Sequence, residues 1–307
     1  MIIEMPHTTA AAVADRLVRV RGEGGVVSLG RVLTLVIETG ADDVERAVRA
    51  ANEASREHPC RVVVVDRSSP DPAGDLDAEI RIGGDAGASE VVLLRPSGIV
   101  RDETDTLVIP FLLPDAPVVA WWSSVVPDSP ADDPVGARAG RRITDVVKCD
   151  DPIAALDRLR LAYSPGDTDL SWARVTVWRA ILASALEEPP YEPVRAVSVY
   201  GNTRRPAVFL LAAWLADGLG CPARVVDEGS FRSLTGVALD RASGPVELRR
   251  PDGDAVATLD QPGHPRHRIV MPPRSRAELL AEELRRLGPD RTYGRALTRG
   301  LRMVEIA

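Results

Sequence analysis

The sequence predicts an α/β protein: an N-terminal Rossmann-like, mostly parallel sheet with helices, followed by a smaller α/β or α+β domain with an antiparallel β-meander. Arg61–Asp66 contains an unbroken run of four valines, which is typical of a strand buried on both faces. Strand, helix and strand patterns alternate before it, as in a parallel crossover unit. After residue 236, four short β segments are separated by glycine-containing turns, which predicts the meander.

Helix and strand patterns alternate through the first 66 residues. Residues 8–21 predict a helix, because a threonine can cap it and apolar side chains recur at helical spacing. Leu29–Glu38 is apolar and β-branched, which predicts a strand. Asp42–Glu57 predicts a helix with carboxylates at its positive N-terminal end. These segments and Arg61–Asp66 form a predicted strand-helix-strand unit with parallel strands.

Further β segments follow in the predicted N-terminal domain, which we place at residues 1–150. They are Asp75–Ile82, which alternates like an edge strand, Ser89–Arg95, Pro117–Ser124 and Arg141–Val147. Residues 151–193 are predicted to form a helical linker region. Its helices are Asp151–Tyr163, with a proline in the first turn, and Ser171–Leu186.

The predicted C-terminal α+β domain spans residues 194–307. It begins with a second strand-helix-strand unit, formed by Ala196–Tyr200, Pro206–Leu219 and Ala223–Val226. The four meander segments come next, and residues 274–287 and 290–299 predict two closing helices.

Composition and charge exclude several classes of protein. The 307 residues carry a formal charge of −7, which argues against a general nucleic-acid binder. No apolar run approaches the roughly 20 residues that span a bilayer, and no secretory signal precedes the first helix. We therefore expect a cytoplasmic protein that binds neither nucleic acid nor membranes. Lys148 is the single lysine, so any Schiff-base or phosphate-binding lysine would have to be this residue.

Motifs that carry catalysis are missing from the sequence. The glycines at 22, 24 and 25 lack the third glycine of a dinucleotide fingerprint and lie between a helix and a strand, which is the wrong order. The glycine-rich segment 83–87 favours a turn over a phosphate loop. His264 and His267 have no neighbouring ligand cluster, and His58 beside Cys60 is more simply a helix-terminal histidine. The sequence thus predicts no catalytic residue, no cofactor and no metal site.

Tryptophans next to arginines are the candidate partner surface, because these residue types dominate interface hot spots. Trp121 and Trp122 end a strand, where adjacent side chains point to opposite faces and one can lack cover. Trp172 and Trp178, six residues apart, would lie about 120° from each other on one helix. Arg141 and Arg142 complete the set. The alternative for every tryptophan is core packing.

Three cysteines, too few and too widely spaced for a disulfide framework, are the candidate redox residues. They are Cys60, Cys149 and Cys221. Burial as small apolar side chains is the simpler interpretation.

Several stretches, in order along the chain, resemble the glucose-6-phosphate dehydrogenase assembly protein family, OpcA. They are Gly30–Ile37, Ala51–Val62, Ile82–Val91, Pro110–Trp122, Arg141–Asp145, Tyr163–Trp172 and Pro189–Pro193. The C-terminal meander and helices are also similar to the tail of the family. The individual pieces are modest, but their order and total length make the resemblance specific.

The resemblance implies a non-catalytic partner of glucose-6-phosphate dehydrogenase that supports assembly and activity of the oligomeric enzyme at the entry to the oxidative pentose phosphate pathway. It supplies no catalytic residue to carry over. Thiol-dependent control is associated with photosynthetic relatives of the family, which is a second reason to treat the cysteines as candidate redox residues. The rival hypothesis is an α/β protein or enzyme that binds a sugar phosphate or nucleotide at the carboxyl ends of its parallel strands, lined by residues 83–87 and Trp121–Ser124.

Overall fold

The structure is a computed structural model that describes residues 1–24, 32–72, 74–83, 90–229 and 234–307. Contacts divide the chain into two compact units. Unit 1 comprises Met1–Cys149 and Arg276–Pro289, and unit 2 comprises Asp150–Ser275 and Asp290–Ala307. The return of residues 276–289 to unit 1 is a feature that no sequence pattern predicts.

The described residues form nine α-helices and fifteen strands. The helices are α1 Ala10–Gly24, α2 Val44–Ala54, α3 Thr104–Val108, α4 Pro152–Leu161, α5 Leu170–Arg174, α6 Thr176–Leu186, α7 Pro206–Leu219, α8 Arg276–Leu284 and α9 Arg291–Thr298. The strands are β1 Ile2–Met5, β2 Leu33–Thr39, β3 Cys60–Asp66, β4 Leu76–Arg81, β5 Glu90–Pro96, β6 Val118–Trp122, β7 Arg141–Thr144, β8 Asp167–Asp169, β9 Ala196–Gly201, β10 Ala223–Asp227, β11 Leu234–Asp240, β12 Val246–Arg249, β13 Val256–Asp260, β14 His267–Val270 and β15 Val304–Ile306.

Unit 1 contains a mostly parallel sheet with the strand order β1-β4-β5-β3-β2-β6-β7. Five strands, β2, β3, β5, β6 and β7, are parallel to one another. Strand β4 pairs antiparallel with β5, and β1 pairs antiparallel with β4. The chain moves outward from β2 to β5, then returns to add β6 on the other side of β2. This reversal in the order of strand addition is typical of a doubly wound sheet, so the Rossmann-like prediction is confirmed.

Helices cover both faces of the unit 1 sheet. Val13 and Leu17 of α1 pack with Val36, Val63 and other side chains of one face. On α2, the buried Val44, Ala47, Val48 and Ala51 recur at helical spacing, and α8 packs against this helix. A strand buried on both faces needs a continuous apolar sequence, which explains the valine run in β3.

Unit 2 contains a mixed sheet with the order β14-β13-β12-β11-β9-β10-β15. Strands β9, β10 and β15 are parallel, and β11 to β14 form the predicted antiparallel meander. Helix α7 connects β9 to β10, begins with Pro206 and ends at a left-handed Gly220, which confirms the second strand-helix-strand unit.

Three details differ from the sequence prediction. The single helix predicted at 171–186 is broken at Val175 into α5 and α6, and Asp169 caps α5 by accepting the Ser171 N–H at 2.8 Å. The short strands β1, β8 and β15 were not predicted. Strand β1 covers β4, so Asp75–Ile82 is not the edge that its alternation indicates. The start of the predicted strand at 29–38 lies outside the described residues.

Candidate functional site

The carboxyl edge of the unit 1 sheet, between β2 and β6, is where a doubly wound fold binds a ligand. Here the segments at the ends of β2 and β6 are hydrogen-bonded to each other. The Gly40 N–H donates to Ser124 Oγ at 2.9 Å, and the Ser123 N–H donates to the Glu38 carbonyl at 3.0 Å. The turn after β2 contains Gly40 alone where a dinucleotide fingerprint has three glycines.

The helix that follows β2 presents carboxylates where a phosphate would bind. A helix N-terminus attracts anions through its free N–H groups and its dipole. Asp42 and Asp43 form the last residues of the turn that leads into α2, and Glu45 lies in its first turn. Arginines pair with Asp43 and Glu45, but a carboxylate cannot donate a hydrogen bond to a pyrophosphate, so the position does not suit a dinucleotide.

Arg276, the first residue of α8, closes the same edge. Its Nη1 donates to Asp43 Oδ2 at 2.6 Å and its Nε to Asp145 Oδ2 at 3.1 Å, and its Nη2 donates to the Ser123 carbonyl. The guanidinium also lies 4.8 Å from the centre of the Trp121 ring. A side chain from the distant C-terminal part of the sequence therefore occupies the ligand edge of unit 1.

Glu38 is a buried carboxyl group at the end of β2, with 4% of its surface exposed. Burial raises its pKa to about 7, and nearby Asp133 adds to the rise, while Arg67, whose Nη1 lies 3.3 Å from Oε2, opposes it. This carboxyl therefore titrates close to neutral pH.

Replacing Glu38 with glutamine should remove a pH-dependent destabilisation of about 3 kcal/mol. Folding raises the pKa of this carboxyl, so the protein loses stability as the pH rises from the unfolded-state pKa of 4.5 through the folded-state pKa of about 7. Urea denaturation should show that the Glu38→Gln variant gains stability over the wild type at about pH 8 but not at about pH 4. Glu57→Gln, at an exposed position, is the control. A stability difference that does not change with pH would contradict the assignment.

The six residues predicted as a partner surface are all buried. Exposed fractions are 0% for Trp121, 1% for Trp122, 3% for Arg141, 8% for Arg142 and 2% each for Trp172 and Trp178. The expectation that a tryptophan at the strand end lacks cover is wrong. Helices cover both faces of the sheet, so both rings are enclosed.

The second tryptophan pair is buried because the helix is interrupted between its members. Trp172 lies in α5 and Trp178 in α6, so the rotation of a single continuous helix does not separate them. The Trp172 Nε1–H donates to Asp290 Oδ2 at 2.8 Å, and the Arg179 guanidinium lies 3.5 Å from its ring centre. These contacts are structural ones within unit 2.

Arg141 forms a buried ion pair. Its Nη2 donates to the Glu283 carboxylate and its Nη1 to the Gly288 carbonyl at 3.2 Å. Glu283 is 4% exposed, so neither charge of the pair reaches solvent freely. Arg142 donates from Nη1 to the Ala139 carbonyl at 2.9 Å.

The three cysteines are free thiols at separate places. Cys60 and Cys221 are buried, and Cys149 is half-buried. Burial raises the pKa of Cys221, which makes its thiolate scarce. A redox role for any of them stays a prediction.

The histidine and glycine candidates are dispersed. His264 Nε2 lies 2.7 Å from the Pro189 carbonyl, and His267 is exposed on β14. Gly83 has a φ of +76°, as expected for a turn glycine. The rest of the 83–87 segment lies outside the described residues.

Within the described ranges, no group of three or more His, Cys, Asp or Glu side chains could hold a metal ion. No helix in these ranges is long and apolar enough to cross a membrane.

A polar cavity of about 280 Å³ lies at the ends of β3 and β5 and the start of β4. Its acidic lining consists of Asp66, Asp71, Asp75 and Asp77, and Arg95 and His7 complete its charged groups. His7 Nδ1 contacts Asp75 Oδ2, and this hydrogen bond raises the pKa of His7 and lowers that of Asp75. No sequence pattern predicted this site, although Asp66, an acidic residue at the end of a parallel strand, was a signal for it.

One face of the unit 2 sheet, here called the open face, has partly exposed side chains among the described residues, such as Ala196, Tyr200 and Ala238. Helices pack on the other face, against Val197, Val199 and Val237. On the open face the Arg249 guanidinium lies 3.7 Å from the centre of the Tyr200 ring. The Arg249 side chain crosses over Gly236, where a Cβ atom would come within 2.5 Å of the Arg249 Cδ. Arg268 is exposed on the edge strand β14.

Comparisons with known proteins give two matches to family models. The model described as glucose-6-phosphate dehydrogenase subunit N-terminal domain matches residues 51–161, and the model described as the C-terminal domain of the same subunit matches residues 165–297. The two matches together span most of the chain. No curated protein matches the sequence.

Two solved structures show weak likeness. The WlbA dehydrogenase of Chromobacterium violaceum is 11% identical, with a TM-score of 0.33, over 75% of this chain and 74% of that chain. An NAD-binding oxidoreductase of Klebsiella pneumoniae is 10% identical, with a TM-score of 0.43, over 90% of this chain and 96% of that chain. Likenesses of this strength carry no information on function.

Proposed function

The chain belongs to the OpcA family of glucose-6-phosphate dehydrogenase subunits, and from this membership we propose that it is a non-catalytic assembly subunit and allosteric activator of that enzyme. It acts by protein–protein binding at the entry to the oxidative pentose phosphate pathway. The match of both family domains over residues 51–297 is the observation that carries the proposal. It agrees with the resemblance predicted from the sequence.

The carboxyl edge of unit 1 supports a role without nucleotide chemistry. Asp42 and Asp43 precede the helix where a phosphate would bind, and Arg276 fills the space beside Trp121. This arrangement argues against the rival hypothesis of a sugar-phosphate or nucleotide site there, since the ligand would meet carboxylates at the helix N-terminus and an edge occupied by the Arg276 side chain.

Activation follows from differential binding. A subunit that binds the active enzyme more tightly than the inactive one shifts the population toward the active form. A shift from 1:99 to 99:1 needs about 5.5 kcal/mol of differential binding, which a protein interface of standard size, roughly 1,600 Å², can supply.

The open face of the unit 2 sheet is the surface we propose for the dehydrogenase. Tyr200 and Arg249 are of the residue types that dominate interface energies, and their stacking across Gly236 fixes their geometry before binding. Arg268 adds an exposed positive charge beside them. The buried tryptophans cannot serve this purpose without unfolding part of the core.

Reconstitution with the purified cognate dehydrogenase tests the proposal. Adding the chain should raise the rate of NADPH production at fixed substrate and increase the mass of the oligomer. Arg268→Glu should weaken co-elution with the dehydrogenase by about tenfold, because the charge now opposes its partner. Arg302→Glu, an exposed arginine after α9, is the matched control. If the wild-type chain changes neither rate nor mass and does not co-elute, the proposed function is wrong. If Arg268→Glu binds normally, only the surface is misplaced.

A further inference from the structure

We propose that residues 129–139 form a pH-dependent cover over Glu38 at the end of β2. This cover segment closes when the Glu38 carboxyl group is protonated and opens more often when the group is ionised. The inference goes beyond the proposed function and does not rest on it, because the opening is a property of the chain without the dehydrogenase.

The cover segment packs on Trp122, directly beside Glu38. In the register of β2 and β6, Glu38 lies opposite Trp122, so the two side chains are neighbours on one face of the sheet. Val135 and Ala139 of the cover segment are buried in the same apolar cluster as the Trp122 ring. Gly136 lies against that ring, since a Cβ atom there would come within 2.9 Å of Trp122 Cη2. The segment that seals the ring therefore also seals the carboxyl group.

The carboxyl group of Glu38 is poorly supplied with donors in the closed structure. Its Oε1 is buried and makes no hydrogen bond of good geometry with the described residues, and the same is true of the Trp122 Nε1–H. Its Oε2 lies 3.3 Å from Nη1 of Arg67, whose side chain is 36% exposed. A carboxylate needs hydrogen-bond donors when it is buried, so the closed structure suits the protonated group better than the ionised one.

The charges around Glu38 act in the same direction. Burial raises its pKa most, and the charge of Asp133, in the cover segment, raises it further. Arg67, which follows β3, and the indole of Trp122 on β6 lower it, and the balance is a pKa of about 7. An ionised Glu38 is therefore repelled by a residue of the segment that covers it.

Asp133 also organises the cover segment, which ties this repulsion to its shape. The Asp133 Oδ1 accepts the N–H of Val135 at 2.9 Å and that of Gly136 at 3.1 Å. The Asp133 carbonyl accepts the Ala137 N–H at 2.8 Å. A short segment shaped by bonds between near neighbours opens at a lower free energy than the strands beneath it, so it can open while the sheet stays folded.

The direction of the pH effect follows from proton linkage. Opening returns the Glu38 carboxyl group to water, where its ordinary pKa of 4.5 applies. The closed state has the raised pKa, so it loses population as the pH rises from 4.5 through about 7. The opening equilibrium should increase by up to about tenfold per pH unit in this range and level off above it.

Amide hydrogen exchange of the full chain, followed by NMR, tests the proposal. Each exchange rate is divided into the rate of an unstructured chain at the same pH, which gives a protection factor. Protection of the Ala137 and Ala139 amides should fall by at least about tenfold from about pH 5 to about pH 7 and then level off. The amides of Arg205 and Gly244, which are bonded in turns of unit 2, should show no such fall. Protection of Ala137 and Ala139 that does not change with pH would overturn the proposal.

Three variants assign the effect to this pair of carboxyl groups. Glu38→Gln should make the protection of the cover segment independent of pH, because the titrating group is gone. Asp133→Asn keeps an acceptor for the two backbone N–H groups but removes the charge, so the total fall should be smaller, and this exposed-loop change keeps the test decisive if Glu38→Gln folds poorly. Asp132→Asn makes the same change of charge one residue earlier, at an exposed position, and should behave like the wild type. A fall that persists unchanged in both Glu38→Gln and Asp133→Asn would overturn the proposal, since another group would then be the one that titrates.

Discussion

Replacing Arg276 with alanine is expected to destabilise the protein by about 3–5 kcal/mol at neutral pH. The guanidinium is the shared partner of Asp43 and Asp145, whose exposed fractions are 3% and 1%, and it also bonds the Ser123 carbonyl. Removing it takes the shared guanidinium away from two buried carboxylates, and the remaining partner of Asp43, Arg46, is itself largely exposed. Urea denaturation followed by circular dichroism measures the loss.

The destabilisation caused by Arg276→Ala should depend on pH. Burial by itself would raise the pKa of Asp43, but the bonds and charge of Arg276, with Arg46, outweigh it, and the pKa is lowered. In the wild type this group therefore stabilises the fold above its unfolded pKa of 3.8, and the contribution is lost as the pH falls through the folded value. Without Arg276, burial is the largest effect on the pKa of Asp43, and protonation of this carboxyl removes its buried charge. The deficit of the Arg276→Ala variant should therefore be larger at about pH 7 than at about pH 4.

Arg285→Ala is the matched control for that experiment. Arg285 lies just after α8, and its contact with Glu57 is 3.7 Å long between side chains that are 65% and 61% exposed. Such pairs contribute at most about 1 kcal/mol. If Arg276→Ala costs no more than Arg285→Ala, Arg276 does not hold the carboxyl edge together.

Local patterns predicted the elements of this fold well because each depends on neighbours in sequence. The apolar run in β3, the threonine before α1 and Pro206 at the start of α7 all act over a few residues. Short strands such as β15 carry too few residues for a pattern to be distinctive. The predicted angle between Trp172 and Trp178 assumed one continuous helix. The break at Val175 makes that angle wrong, since one irregular residue changes the direction of every side chain after it.

Long-range side-chain contacts explain what the sequence could not predict at the candidate sites. Arg276 meets Asp43 across 233 residues, and no periodicity links the two. The acidic cavity likewise combines side chains from β3, β4 and β5 with His7, which follows β1. Its signal in sequence is only that Asp66 ends an apolar strand. Burial of Trp121 and Trp122 follows from cover on both faces of β6, and α8, which returns from the far end of the chain, supplies part of that cover.

Breaking the Arg141–Glu283 ion pair is the second change expected to have a large effect. Arg141→Met alone should cost about 3–5 kcal/mol, because it leaves the Glu283 carboxylate buried at 4% exposure without its guanidinium partner. Glu283→Gln should cost somewhat less, since an amide still accepts a hydrogen bond from Arg141. Denaturation of the purified chain, with no dehydrogenase present, measures both.

The double variant Arg141→Met/Glu283→Leu decides why the single changes destabilise. Two buried charges cost desolvation energy that their attraction only partly returns, so replacing both with apolar side chains should recover most of the loss. Arg138→Met, at a partly exposed pair with Asp105 at 2.9 Å, should cost at most about 1 kcal/mol. If the double variant is as unstable as Arg141→Met, the loss comes from packing and not from an unpaired charge. In either case Arg141 acts inside unit 1, so weaker dehydrogenase binding by an Arg141 variant would report a destabilised subunit and would not locate the interface.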